Sequence, residues 1–297
     1  MTTKDIKDVL TYAAFRPEPD DPTAPWKKRF PKNKSLLLNI NRDSISWVDV
    51  EKNGMIGEAS AIDGDLKELA QDLATEWKGL TEDSWCGISI NSRYMITLES
   101  NLTRKQGSEE MIRTNPRSVL GAKAEKGKRY SVEHNPRSNS SILLSVDEDM
   151  IKSVESALSS AGMKVGRIAC GPYAMLLDCV DQVETARAQL EKGGTGENIG
   201  KLIVVVCCQG SICALTMQDD NWKELRSRSG LYKNDDYEPI VKVLKPLIEH
   251  VGEGAQMIFM GDEANTGLPD FLQQVVPGMR FSDVTQPNQL WKILSER

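Results

Sequence analysis

A chain whose histidines are His134 and His250 draws any chemistry from few residues, and spacing removes most of the candidates. His134, Ser141 and Asp147 have the types of an acyl-transfer triad, but no strand–nucleophile–helix elbow surrounds the serine. Cys207 and Cys208 would be nucleophiles only if exposed with a lowered pKa, and the apolar run around them predicts burial. Two histidines and the absence of a Cys-x-x-Cys pair argue against a metal site. Asp63, Asp65 and Asp72 do not converge on one helix face, so they read as solvated, helix-capping carboxylates. Gly193-Gly194-Thr195-Gly196 exposes backbone N–H groups that suit a phosphate, yet it lacks the lysine and Ser/Thr of a P-loop. It reads as a linker, placed where a hinge between two halves would fall. Trp222–Arg228, with Arg226 and Arg228, lacks the interleaved aromatics that stack RNA bases. Two tight turns survive this sifting. Asn39, Asn41 and Ser44 flank the first, and Val206, Cys208 and Ser211 flank the second.

The elements that hold these turns form a unit that occurs twice: a hairpin, then an amphipathic helix and another apolar strand. The first hairpin runs from Leu36 to Val50 and the second from Leu202 to Thr216. Beyond the first turn, Ile45, Trp47 and Asp49 share one face while Val48 and Val50 share the other. Asn53-Gly54 predicts a turn into a strand near Met55–Ala59. Ile62, Leu66, Leu69, Leu73 and Trp77 make one helical stripe, with Asp63 and Asp65 suited to its positive N-terminal end. Cys86–Asn91 and Tyr94–Glu99 read as a strand pair, and the basic stretch from Ser100 to Arg137 as one short helix and a loop.

Ile142-Leu143-Leu144 is a short buried strand, and Ser145 with Glu148 has capping-box spacing. Ile151, Val154, Leu158 and Ala161 form the next stripe, Gly162 ends that helix, and Met163–Ile168 returns as a strand. Asp181 and Glu184 repeat the capping spacing for a helix through Leu190. After the second hairpin, Trp222-Lys223-Glu224-Leu225 starts the continuation. Ile240, Leu244, Leu247 and Val251 mark a helix reinforced by Val241 and Ile248. Gln256–Gly261 is a buried strand, Leu268, Leu272 and Val275 line a further helix, and Leu290 with Ile293 closes the chain. Strands alternating with helices imply layered α/β packing.

Composition bounds the function. The 297 residues are 39% hydrophobic and 27% charged, as in a folded globular chain with one large core or two ordinary ones. A net charge of -6 gives no general footprint for nucleic acid. Charge is uneven, however: residues 1–35 hold eight Lys/Arg against five Asp/Glu, and residues 104–137 hold nine against four. Both segments suit an acidic partner or an anionic surface, although a solvated loop face explains them as well. No stretch reaches the ~18–20 apolar residues of a membrane span. Met1–Leu10, with Lys4, Asp5, Lys7 and Asp8, has no apolar core for a secretory signal. Cys170, Cys179, Cys207, Cys208 and Cys213 lie in or beside apolar segments and Cys86 precedes a strand, the usage of reduced buried thiols. The expected compartment is the cytoplasm.

Duplicated nucleotide-binding folds begin each half with such a hairpin, and the order of elements over residues 36–297 resembles the actin-like ATPase fold in its type IV pilus assembly branch. That branch is the PilM family, to which the cytoplasmic domain of the type II secretion protein GspL is related. The family's first hairpin carries “DIG…S”, and its first half closes on an apolar strand, a helix, Ala-Gly-Leu, a strand and Pro-x-Ala. Here that closing segment reads Ser140–Ser145, then Ser160-Ala161-Gly162-Met163-Lys164-Val165, then Cys170-Gly171-Pro172-Tyr173-Ala174. The resemblance implies a duplicated actin-like (ribonuclease H-like) α/β fold, with mixed sheets and flanking helices in each half. Residues 1–34, with Pro17, Pro19, Pro22, Pro25 and Pro31, would be an irregular arm. Residues 35–195 would form the first half, with an inserted subdomain over about 85–145, and residues 196–297 the second.

Phosphate loops of this fold expose backbone N–H groups to the phosphates and use an acidic residue in each strand to orient magnesium or its waters. By resemblance the first loop is Asn39, Asn41 and Ser44, and the second is Val206, Cys208 and Ser211. Asn39 is neutral, Asn41 carries a Cβ where glycine permits close approach, and Val206 cannot bind a cation. Gly261 and Asp262 match the adenosine-side loop. The expectation is therefore no cofactor, with magnesium-free ATP binding still compatible, and a catalytically inactive scaffold in the assembly of type IV pilus or type II secretion machinery. Its partner would be a cytoplasmic segment of an inner-membrane assembly protein, met at Arg113, Arg117 and Lys123 on the inserted subdomain. Self-association is compatible with this reading, no nucleic acid is expected, and the protein would sit in the cytoplasm at the inner-membrane face. The alternative is an active ATPase or sugar-kinase-like phosphotransferase that recruits metal through Asp43, Asp49 or Asp262. An unrelated two-domain α/β protein with a small-molecule site is a third.

Overall fold

The computed structural model describes residues 34–49, 54–78, 85–91, 94–99, 102, 108–135, 138, 140–180, 201–208, 210–218, 221–231, 236–252, 256–261, 267–276 and 280–296. The arm, the Asn53 turn, the helix expected from Asp181, the glycine linker at 193–196 and Asp262 fall outside them.

Period-two alternation builds two sheets of one plan. In the first, β1 (Lys34–Ile40) and β2 (Ser44–Asp49) are antiparallel and β3 (Gly54–Ser60) adds antiparallel to β2. β4 (Trp85–Ile90) and β8 (Lys164–Cys170) continue parallel to β1, giving the order β3-β2-β1-β4-β8. In the second, β9 (Lys201–Cys208), β10 (Ser211–Gln218) and β11 (Asn221–Arg228) repeat the antiparallel trio. β12 (Gln256–Gly261) and β13 (Arg280–Asp283) extend it in parallel, giving β11-β10-β9-β12-β13. Each hairpin leads its own sheet.

A third, antiparallel sheet has the order β5-β7-β6, from β5 (Tyr94–Glu99), β6 (Lys128–His134) and β7 (Ser141–Asp147). The expected pairing of Cys86–Asn91 with Tyr94–Glu99 is thus corrected. β4 has both edges occupied, by β1 and β8, and β5 must find β7 instead. The small sheet begins at Tyr94, after the chain has left the first large sheet.

Helices follow their stripes, with corrections at the ends. α1 (Leu66–Trp77) buries Leu66, Ala70, Leu73 and Trp77, and Asp65 caps it by accepting from the N–H groups of Lys67 and Glu68 at 2.9 and 3.2 Å. Ile62 is not in the stripe: it is 84% exposed, in a 3-10 turn where Asp63 and Gly64 both take positive φ. The basic stretch holds α2 (Ser108–Thr114), α3 (Pro116–Leu120), a 3-10 turn and β6, rather than one helix and a loop. α4 (Glu148–Ser160) is capped by Asp147, because Ser145 lies within β7 and the Glu148 side chain turns to Arg129. Gly162, at φ 82°, closes α4: its N–H reaches Ser159 and that of Met163 reaches Leu158, both through backbone carbonyls.

A helix over 171–180, α5, was not legible as an element of its own. α6 (Glu238–Val251) buries Ile240, Leu244, Leu247 and Val251 as expected. α7 (Leu268–Val275) buries Leu268 and Leu272 but leaves Val275 39% exposed, at the last turn. α8 (Gln289–Glu296) returns to pack on β1 and β4.

The alternation along β9 decides how the halves meet. Leu202, Val204, Val206 and Cys208 enter the large core shared with the first sheet. Ile203, Val205 and Cys207 point the other way, into a core with α6 and α7. Each such side chain contributes about 1.5–3 kcal/mol when fully buried. All six cysteines are free and buried.

Candidate functional site

The two turns selected by sequence come together, and a residue that sequence reasoning passed over joins them. The chain leaves β4 at Asn91, whose N–H donates to the carbonyl of Ile40 at 2.8 Å. Its side-chain amide donates to Asn39 Oδ1 and, at 3.5 Å, to Asn41 Oδ1. Asn39 Nδ2 donates to Asn41 Oδ1 at 3.1 Å, and Asn41 Nδ2 to Ser44 Oγ at 3.3 Å. From the second turn, Ser211 Oγ donates to the carbonyl of Asn91, and Cys208 Sγ lies 3.5 Å from Asn91 Oδ1. Asn39 is 0%, Asn91 1% and Ser211 1% exposed. At the rim, Ser44 Oγ donates to Glu58 Oε1, an exposed carboxylate of β3, at 3.1 Å.

The remaining predicted positions differ in fate. Val206 is fully buried beside Cys213 in the ladder, a packing residue. Gly261 ends β12, and Thr285 Oγ1 accepts its N–H at 2.9 Å. Asp43 stands on the first turn, where its carbonyl accepts from Ala61 at 2.7 Å. Asp49 is opposite Leu36, at the far end of the hairpin from Asn39 and Ser46, so register removes it from the turns. Ser89, the register partner of Asn39, is buried with no hydrogen-bond partner for its hydroxyl. Gly171 opens α5 so close that a Cβ there would overlap Asn91 Oδ1 and Ser89 Oγ.

These residues are a poor match to a magnesium-bound triphosphate. A metal wants anionic oxygens held open toward it. Here the corresponding side chains are neutral amides bonded to one another, a valine in the core, and a glycine whose N–H already has an acceptor. Among the described residues no group of three or more His, Cys, Asp or Glu is placed to hold a metal ion. Burial pushes the thiols of Cys86, Cys170 and Cys213 well up and that of Cys179 to about 12, which disfavours the thiolate form. His134 Nδ1 does lie 2.7 Å from Ser141 Oγ, but Ser141 is fully buried and Asp147 is at the opposite end of β7. That contact is a cross-strand pair.

Arg113, Arg117 and Lys123 lie on α2, α3 and the turn after it. The basic segment has a core of its own: Ile112, Leu120 and Tyr130 pack with Leu143. Tyr94, Ile96, Ile142 and Val146, on the other face of the small sheet, join the large core. Lys123 Nζ pairs with Glu99 Oε2 at 2.6 Å, and Met95 and Met111 are 52% and 49% exposed. Arg129 of β6 binds two carboxylates of α4, Glu148 at 2.8 and 3.1 Å and Glu155 at 2.9 and 3.0 Å. Burial disfavours its charge, but the bonds and charges of both glutamates prevail and raise its pKa. The Arg129 bond holds Glu148 below the ordinary carboxylate range against its partial burial.

No family model matches the chain, and no curated protein matches it. Solved structures do. A Bacteroides thetaiotaomicron protein with actin-like ATPase fold and unknown function is 12% identical, with 90% of this chain and 97% of that one covered at TM-score 0.52. A chain of the PilM–PilN type IV pilus biogenesis complex is 14% identical, with 90% and 96% covered at TM-score 0.50. The cytoplasmic domain of EpsL, an inner-membrane component of the Vibrio cholerae type II secretion system, is 11% identical, with 86% and 92% covered at TM-score 0.44. With the repeated sheet order, the first two establish that this chain has the actin-like ATPase fold.

Proposed function

We propose that this protein is a catalytically inactive actin-like scaffold in the assembly of a type IV pilus or type II secretion machine. It works at the cytoplasmic face of the inner membrane and holds a cytoplasmic segment of an inner-membrane assembly protein. The observation that carries the reading is Asn91: it bonds to both turns, where an ATPase of this fold would keep its phosphate loops apart and charged. The likeness to a chain from a type IV pilus biogenesis complex supports the setting. Among the described residues no helix is long and apolar enough to cross a membrane.

The surface proposed for that partner is the small sheet with its two short helices. Arg113 and Arg117, with Lys123 beside Glu99, would supply its cationic side chains and Met95 and Met111 apolar contact, which suits an acidic segment with apolar anchors. Rim charges act mainly on association rate and salt dependence. Two measurements test the reading. Purified protein should release no phosphate from ATP–magnesium above background; steady turnover lost in Asp43→Asn or Asp262→Asn would establish the phosphotransferase alternative instead. Reversing Arg113, Arg117 and Lys123 together to Glu should weaken recovery of the membrane partner in a pull-down, most at low salt, without unfolding the protein. Unchanged recovery at low ionic strength would make the basic stretch a solubilising surface only.

A further inference from the structure

We infer that Asn91 is the centre of a fixed joint that locks the two halves together without nucleotide and carries the small sheet with it. The joint starts where three parts of the chain meet. Asn91 follows the last residue of β4, in the first large sheet, and stands shortly before β5, in the small one. Its N–H and side-chain amide are committed to the first half, at Ile40, Asn39 and Asn41, while its carbonyl is committed to Ser211 of the second. A single residue thus satisfies polar groups on both sides, in a place water does not reach.

The same seam continues into β5. Tyr94 Oη donates toward the carbonyls of Ile212 and Arg228, at 3.5 and 3.4 Å. Burial raises the pKa of this hydroxyl, which keeps it neutral and a donor. Ser227 Oγ accepts from the N–H of Ile96 at 3.3 Å and donates to its carbonyl at 3.1 Å, so one β11 hydroxyl occupies backbone groups of β5. On the far side of the small sheet, Arg129 ties β6 to α4 through both glutamates. The small sheet is therefore fastened to the second half along β5 and to the first half along β6.

Opening such a seam would trade its bonds for bonds to water and leave the exposed apolar surface uncompensated. A cleft that closes on a ligand has polar groups that meet water when open and the ligand when closed. Here Asn39, Asn91 and Ser211 meet each other, and separation would break bonds between buried groups while exposing the apolar side chains of the shared core. Gly171 reinforces the lock, because α5 begins against Asn91 Oδ1 with no room for a Cβ. This joint holds whether or not the small sheet receives a partner, so its test leaves partner capture aside.

Hydrogen exchange on the full chain reads the joint directly. Ser211→Ala removes one bond on the second-half side and should speed exchange about fivefold in both turns, as for one hydrogen bond of typical net strength. That includes peptides covering 36–45 and 86–91, which belong to the first half. Tyr94→Phe, which leaves the bonds of Asn91 in place, should speed exchange in β5 together with the start of β10. ATP–magnesium added to the unmodified protein should change neither region. Acceleration confined to the half that carries the substitution, or slowing of both turns by ATP–magnesium, would overturn the joint. Phosphate release with unchanged exchange would instead overturn the inactive-scaffold reading and leave the joint standing.

Discussion

The two large sheets share one plan but present opposite chemistry to the seam between them. Across the first, the register row beside the turn reads Ser46, Asn39 and Ser89. At the matching row of the second it reads Cys213, Val206 and Met260. All six are buried. Strand order and hairpin geometry therefore do not require polarity at this row. Of the polar row only Asn39 bonds to Asn91, and apolar residues fill the side from which Asn91 takes only Ser211 and Cys208. A buried amide is tolerable when hydrogen-bonded and costly when not.

Placing the same charge on the two rows should break their likeness most visibly. Val206→Asp puts a carboxylate among apolar side chains and should cost about 4 kcal/mol or more, enough to leave the chain unfolded or insoluble. Asn39→Asp keeps a donor in Asn91 Nδ2 and should cost about 2 kcal/mol. Denaturant midpoints compare them, and equal losses would mean that the polar row gives its residues no advantage.

Removing the bracket that Arg129 makes between β6 and α4 is the next largest effect. Arg129→Ala takes the guanidinium from Glu155 and leaves Glu148 with Lys152 at 3.2 Å, and should cost about 2–3 kcal/mol, with faster exchange in β6 before the large sheets respond. The pH dependence has a definite sign. Because Glu148 titrates lower in the folded protein, its contribution is complete above the ordinary glutamate pKa of about 4.3 and is lost as pH falls through the folded value. Thermal unfolding in mild acid should show this loss, and Glu148→Gln should flatten it; an unchanged acid slope would remove the bracket from the account. Smallest is Ser89→Ala. Its hydroxyl is buried without a partner, so stability should hold or rise by up to about 1 kcal/mol, where a polar-for-apolar change in the same row at Asn39 lowers it.

Much of the fold was legible because it is periodic. Leu66, Leu73 and Trp77, or Ile240, Leu244 and Leu247, announce their faces at helical spacing, and both hairpins alternate. Pairing was harder. Nothing local to Cys86–Asn91 and Tyr94–Glu99 says that the first joins two parallel neighbours while the second joins another sheet. β6 was missed since Lys128, Arg129, Glu133 and His134 mask the alternation of Tyr130 with Val132. The turns were located by residue type, but their connection was not. Asn91 is 52 positions from Asn39 and 120 from Ser211, and its one local sign is an amide ending the run Ile88-Ser89-Ile90. Ile62 and Val275 fit helical spacing yet fell at ends, where a left-handed turn or the last helical residue escapes the core.

The missing Cβ at Gly171 also limits which substitutions the chain accepts, and in which combinations. The space that a side chain there would need is already held by Asn91 Oδ1 and Ser89 Oγ. A larger residue at position 171 therefore needs room made at both 91 and 89, since relieving one overlap leaves the other. Any side chain at 171 thus competes for room with the amide that joins the halves.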